Sequence, residues 1–344
     1  MKKIESSLIS VVIQGPLYRE LGPERGIHTC IASIRKILPD AEIIVSTWPS
    51  EGVQNLLADK IILSEDPGTI RDITGNPINT NRMTTSTRAG IEAAARPYVL
   101  KFRADLCLED SSFAVIDEYH PEYAGPRLFN SPVTVTSLFI RNPRRCPMLW
   151  HISDLCQFGT RADMLNFWRQ PMFEEKDLLN SKPCRNPFGN FVGYSRMKMS
   201  SEQILMINFM RRRGLEVDYL QNPCKVTPTG LHHWEAVLSG DFRVLNWQTS
   251  GINFPGRFLR SDYSIETVYS AQEVQELRCQ SDAAKKKRTL LIWLNQFIFQ
   301  CKSKRWWLAT ASIALFILSP SIAVTARRYW RRARGIQHPC PEKW

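Results

Sequence analysis

The sequence predicts an α/β fold with a parallel sheet covered by helices on both faces, and three observations carry that expectation. Through the first hundred residues short apolar runs alternate with helical segments, the pattern of βα units. The apolar runs end in turn-forming or polar residues, Gln14, Gly15, Thr47, Asp66 and Asp105, as strands do when their carboxyl ends face a ligand cleft. The 344 residues are 43% hydrophobic, ample for a buried core.

In order, residues 8–13 are an apolar run closed by Gln14-Gly15-Pro16, a buried first strand ending in a tight turn. A helical segment over 25–37 leads through Pro39 to a strand at 42–47, and 60–63 is a third strand before the turn Asp66-Pro67-Gly68. Residues 80–95 read as a helix in which Gly90 and Ala93–Ala95 allow a close approach to the sheet. Pro97 closes it before the strand 98–104. Alternation along that strand puts Lys101, Arg103 and Asp105 on one side and Phe102 and Ala104 on the other. Two cations and a carboxylate at one strand end suit a diphosphate, with or without a metal.

Beyond residue 110 prolines break the pattern. One helix stands out: residues 200–213 open on a serine cap with an acid in the first turn, run apolar, and end in three arginines before Gly214. A strand is expected at 216–220, leading to His232-His233-Trp234.

Charge is not spread evenly. Residues 285–344 hold 13 Lys or Arg and one acid, Glu342, so the whole excess of +12 lies in the tail and residues 1–284 are neutral. Within the tail, 306–324 is a 19-residue run without charge, flanked on both sides by Lys and Arg. Its length alone fits a span, but basic flanks at both ends and Pro320 favour an interfacial or re-entrant anchor. Trp306, Trp307, Tyr329 and Trp330 then sit at headgroup depth against anionic lipids. A basic, aromatic tail also suits nucleic acid, but the uncharged run has no use there, so no nucleic-acid partner is expected. The nine cysteines form no Cys-x-x-Cys pair and read as reduced thiols. The N-terminus has too short an apolar run for a signal peptide.

The helix-then-strand layout of 79–105, NTNRMTTSTRAGIEAAARPYVLKFRAD, resembles the nucleotide-sugar half of GT-A glycosyltransferases, where such a strand carries an Asp-x-Asp motif. The more specific resemblance is to the WavE lipopolysaccharide-synthesis family. It rests on SVVIQGP at 10–16, CIASIRKILPDAEIIVSTW at 30–48, DPG at 66–68, NTNRMTTST at 79–87, KFRADL at 101–106, HISDLCQFG at 151–159 and SSEQ at 200–203. This chain departs from the pattern at one point, where Arg103 takes the place of the first acid.

The resemblance, which covers roughly residues 8–235, implies a GT-A-like, Rossmann-like catalytic domain, placed over 1–284 with a donor half to about 110 and an acceptor half over 111–284, and the charge and apolar run of 285–344 add a membrane-associating helical tail. It implies that Gln14, Asp66, Asn81, Arg82, Arg103 and Asp105 line the donor pocket. Two readings stay open at the diphosphate: a Mg²⁺ or Mn²⁺ ion held by Asp105, or metal-independent action with Arg103 as the counter-charge. Glu202 is expected to take the proton from the acceptor hydroxyl, with Asp154 in reserve, and His232 and His233 are further candidates near the diphosphate. Each has a plainer alternative: Glu202 as a helix-dipole acid, Asp66 as a turn former, Asn81 as a helix cap, the histidines as structural. The activity implied is transfer from a nucleotide-sugar donor to a lipid-linked saccharide, in lipopolysaccharide core or related surface-polysaccharide synthesis. Its place is the cytoplasmic face of the bacterial inner membrane, peripheral or monotopic. Because of Arg103, a non-catalytic membrane-bound scaffold of the same machinery is the alternative.

Overall fold

Ile9–Gln14 (β1) is buried at every position and is an inner strand of a seven-stranded sheet in the computed structural model, which describes residues 2–19, 26–71, 77–181, 196–259, 265–302, 304–333 and 335. The other strands are Glu42–Thr47 (β2), Lys60–Leu63 (β3), Tyr98–Arg103 (β4), Val133–Thr136 (β5), Gln157–Thr160 (β6) and Phe242–Leu245 (β7). Their spatial order is β3-β2-β1-β4-β6-β5-β7. All pairings are parallel except those of β6, which runs antiparallel to both β4 and β5.

The two faces carry separate cores. Ile27–Ile37 (α1) buries Ile27, Cys30, Ile31 and Ile34, an i, i+3, i+4, i+7 stripe, against the odd-numbered residues of β1. Each such side chain contributes about 1.5–3 kcal/mol by leaving water. Thr80–Ala93 (α2) lies on the other face with Arg161–Trp168 (α3), Ser201–Arg212 (α4) and Pro228–Asp241 (α5). An added Cβ at Gly90 of α2 would sit 2.3 Å from Val12 Cγ1, so only glycine permits this approach to β1.

Several expectations change. Asn79, not Asn81, precedes the first turn of α2. Residues 216–220 form no strand: Leu215 N–H donates to Met210 O, and Arg211 Nη1 donates to Val217 O at 2.7 Å, so side-chain and helix-end bonds replace a ladder. His232 and His233 accordingly lie inside α5. Ala271–Cys279 (α6) packs on α5, and Asp282–Lys302 (α7) contains the boundary expected at 284/285 in its first turn. The start of α7 is part of the body: Arg288 pairs with Glu235 at 2.6 Å, Ile292 is buried, and Gln296 bonds both the N–H and the carbonyl of Val226.

Lys304–Leu318 (α8) is separated by Ser319 from Pro320–Ala333 (α9). The proline has no N–H to continue the helical ladder. No helix among the described residues is long and apolar enough to cross a membrane. Ten of the sixteen large apolar side chains left exposed among the described residues nevertheless lie in α7–α9, among them Trp293, Trp307, Leu318, Ile322 and Trp330. The side chain of Trp306 lies outside the described residues.

Candidate functional site

The chain leaves β1 through α1 to β2 and β3 on one side, then returns through α2 to β4 on the other. That reversal opens a crevice at the carboxyl ends of β1 and β4, where open α/β sheets bind ligands. Gln14 and Arg103 are partners across the two strands there. Gly15 follows with φ +88°, and its carbonyl accepts from Thr47 Oγ1 at 2.8 Å, which ties down the end of β2. Gln14 is buried, its Oε1 accepting from Ser86 Oγ of α2 at 3.0 Å.

Asp105, whose side chain is wholly buried, is the centre of the crevice. Arg103 grips it with Nε to Oδ1 at 2.9 Å and Nη2 to Oδ2 at 3.1 Å, and Arg257 Nη2 donates to the same Oδ2. Burial opposes the charge on Arg103, but the Asp105 charge and its hydrogen bonds hold that guanidinium above its usual pKa. The antiparallel pair of Cys107–Leu108 with Ile252–Asn253 carries the helical turn Gly256–Leu259, and with it Arg257, up to the end of β4. Both guanidiniums lie over the rings of Tyr18 and Phe258, at 4.9–5.8 Å from the centroids. Tyr18 has φ +51°, and φ is also positive, at +72°, in Phe139, whose ring meets Phe258 edge-on at 5.7 Å. Non-glycine residues held in that region cost about 1–3 kcal/mol each and gather at functional sites.

A divalent cation does not fit this carboxylate. Both Asp105 oxygens already accept from guanidiniums, and an added metal ion at this carboxylate would face two positive charges within hydrogen-bonding distance of it. Among the described residues no group of three or more His, Cys, Asp or Glu could hold a metal. Of the two readings left open by the sequence, the geometry fits the one in which arginine supplies the counter-charge. The cluster carries two cations against one anion and so keeps a net positive charge.

A second group lies beside the first. Lys101 is fully buried, donates to the Asp154 carbonyl, stands 4.0 Å from Asp154 Oδ2 and covers the Trp168 ring at 5.0 Å. Burial pushes its pKa down to about 8. Burial also raises the pKa of Asp154, with Lys101 opposing and the charge of Glu202 adding to the rise. Glu202 Oε2 is 3.5 Å from His151 Nε2. Burial, aided by Arg141, pushes His151 down to about 3, so the ring is neutral. Glu202 occupies the first turn of α4, which Ser200 and Gln203 close as a capping box. Gln203 is buried and its amide donates to the carbonyls of Leu149 and Pro223, a structural role. Thr80 Oγ1 and Ser201 Oγ lie 2.6 Å apart, so the first turns of α2 and α4 meet.

The remaining expected site residues fall elsewhere or serve the frame. Asn81 has its amide engaged by the N–H and carbonyl of Phe173, both at 2.9 Å, so it docks that segment on α2. Asp66 and Arg82 form an exposed bidentate ion pair, with Asp66 also accepting from Gly68 N–H as a turn former does. His232 and His233 are neighbours on α5 at the edges of two cavities that include none of the Arg103, Asp105, Asp154 or Glu202 side chains. Sequence reasoning missed Arg257, Tyr18 and His151. Only His151, three residues before Asp154 in HISD, had a local signal.

Among solved structures the chain is similar to the catalytic domain of Drosophila β1,4-galactosyltransferase 7 in complex with xylobiose, at 10% identity and a TM-score of 0.28, over 64% of this chain and 66% of that one. It is also similar to a mutant of that enzyme in complex with manganese, UDP-Gal and xylobiose, at 10% identity and a TM-score of 0.26, over 63% of this chain and 66% of that one. The chain thus spans slightly less than two thirds of the length of these neighbours. No curated protein matches the sequence. The family model described as WavE lipopolysaccharide synthesis matches residues 9–330, nearly the whole chain, and the protein belongs to that family.

Proposed function

We propose that this protein is a glycosyltransferase with a GT-A-like donor site, moving a sugar from a nucleotide-sugar donor to a lipid-linked saccharide in lipopolysaccharide core or related surface-polysaccharide synthesis. The observation that carries the reading is the pair Arg103 and Arg257, fixed on buried Asp105 at the switch point of the sheet. In this reading the donor's diphosphate rests against the two guanidiniums, whose planar forks match phosphate oxygens, and Gln14 and Gly15 form the facing wall. Asp105 is a positioning residue that sets the two arginines and keeps them from separating.

Glu202 is the general base. The acceptor hydroxyl oxygen bonds to the anomeric carbon, the bond from that carbon to the diphosphate oxygen breaks, and the hydroxyl proton passes to the Glu202 carboxylate. Charge grows on the leaving diphosphate, which Arg103 and Arg257 stabilise. Neutral His151 stands 3.5 Å from Glu202 and brings no positive charge to it. Family membership supports the pathway, and the exposed apolar and basic surface of α7–α9 supports work at the cytoplasmic face of the inner membrane against anionic lipids.

Mass spectrometry of lipopolysaccharide from a deletion strain tests the reading. A glycan shortened by one or more sugar units is expected, restored by the wild-type gene and not by Glu202→Gln. Unchanged lipopolysaccharide in the deletion strain, or full restoration by Glu202→Gln, would overturn it.

A further inference from the structure

A cavity of about 720 Å³ lies between the first turn of α5 and the first half of α7, away from the arginine pair. Along α7 the lining is cationic at one end, with Lys285 and Lys286, and apolar at the other, with Leu290 and Trp293, while Thr229 and His232 line it from α5. Asp282 is the one carboxylate on the lining. Leu290 is 55% exposed and Trp293 38%, and the apolar strip continues along α7 through Leu291 and Leu294. Arg288, Ile292 and Gln296 anchor the adjoining side of the same helix to the body, so the lining side chains stand on a fixed frame.

This polarity gradient matches one kind of molecule, with an anionic head and an acyl chain. We propose that the groove is a binding site for an anionic phospholipid of the bilayer, the headgroup phosphate between Lys285 and Lys286 and an acyl chain along Leu290 and Trp293. The inference rests on the membrane-surface reading above and adds a defined lipid site to it. It also orients the enzyme. Thr229 borders both this groove and a 120 Å³ cavity lined by Leu149, Trp150 and His233, and Trp150 adjoins His151, the neighbour of Glu202. A bilayer engaged through the groove therefore lies on the acceptor side of the site, where a lipid-linked saccharide arrives.

The test is flotation of the full-length protein with vesicles of phosphatidylcholine alone or with one fifth phosphatidylglycerol. A lysine near an anionic surface is worth about 1 kcal/mol, so Lys285→Gln/Lys286→Gln should weaken partitioning onto the phosphatidylglycerol vesicles roughly 30-fold. The same loss of charge at the exposed pair Lys2→Gln/Lys3→Gln should weaken it less than threefold. Trp293→Ser should weaken binding to both kinds of vesicle. Free glycerol phosphate at millimolar concentration should not compete; competition would make the site one for soluble phosphate and overturn the lipid assignment. Equal losses from the two lysine pairs, or none from Lys285→Gln/Lys286→Gln in a protein that still floats, would overturn this inference alone. A wild-type protein that floats with neither vesicle would overturn the membrane reading as well.

Discussion

Arg103, Asp105 and Arg257 act as one unit, and their substitutions should separate accordingly. Asp105→Asn removes the only anion shared by two guanidiniums in a wholly buried position, and breaking such a pair costs about 3–5 kcal/mol. The variant should lose both thermal stability, read by a melting curve, and donor affinity. Arg257 is over a third exposed, so Arg257→Ala should melt close to wild type yet weaken binding of a nucleoside diphosphate about 10–100-fold, the worth of a charged hydrogen bond. Glu202→Gln should lower turnover by about 10²–10⁴-fold with donor affinity unchanged, as read by steady-state kinetics together with calorimetry. A collapse of donor affinity instead would move the base role to Asp154. Arg103 and Asp105 were legible because strand alternation and the following turn fix where they point. Arg257, 152 residues from Asp105, arrives only through the pairing of Ile252–Asn253 with Cys107–Leu108, which no local pattern encodes. Asn81 misled for the opposite reason: its place at the front of α2 is as read, but the Phe173 backbone claims its amide.

At the scale of elements, β1 to β4 with α1 and α2 follow from local signals, because each strand is an apolar run closed by a turn and each helix has a buried stripe or a glycine where it meets the sheet. Gly90 makes that explicit. Gly90→Ala places a methyl at 2.3 Å from Val12, and overpacking of this kind costs about 1–3 kcal/mol, so chemical denaturation should show a lower midpoint with an unchanged slope. The helix α4 was legible from its capping box and terminal arginines. The strands β5, β6 and β7 were not. Each has four residues and lies at least 20 residues along the chain from its partners, so the sheet edge selects them by tertiary pairing and not by pattern. Residues 216–220 show the converse, a strand-like composition whose backbone is satisfied by Arg211 and the end of α4.

For the whole molecule, charge counting located the basic tail but misplaced its boundary, since composition cannot see that Arg288, Ile292 and Gln296 belong to the body. Truncation after Ala284 should therefore destabilise the protein, as read by a melting curve, whereas truncation after Lys302, which keeps the α7 groove, should leave it folded, still able to bind donor, and held to membranes more weakly than the full chain, as read by sedimentation with membrane fractions. The arginine-lined donor site is tested most directly by one measurement, calorimetric titration of the wild-type protein and Arg257→Ala with a panel of nucleoside diphosphates in EDTA. At least one of them should bind the wild type without metal and bind Arg257→Ala at least tenfold more weakly. Binding that appears only when Mn²⁺ or Mg²⁺ is restored and is equal in the two proteins would contradict it, as would no binding at all.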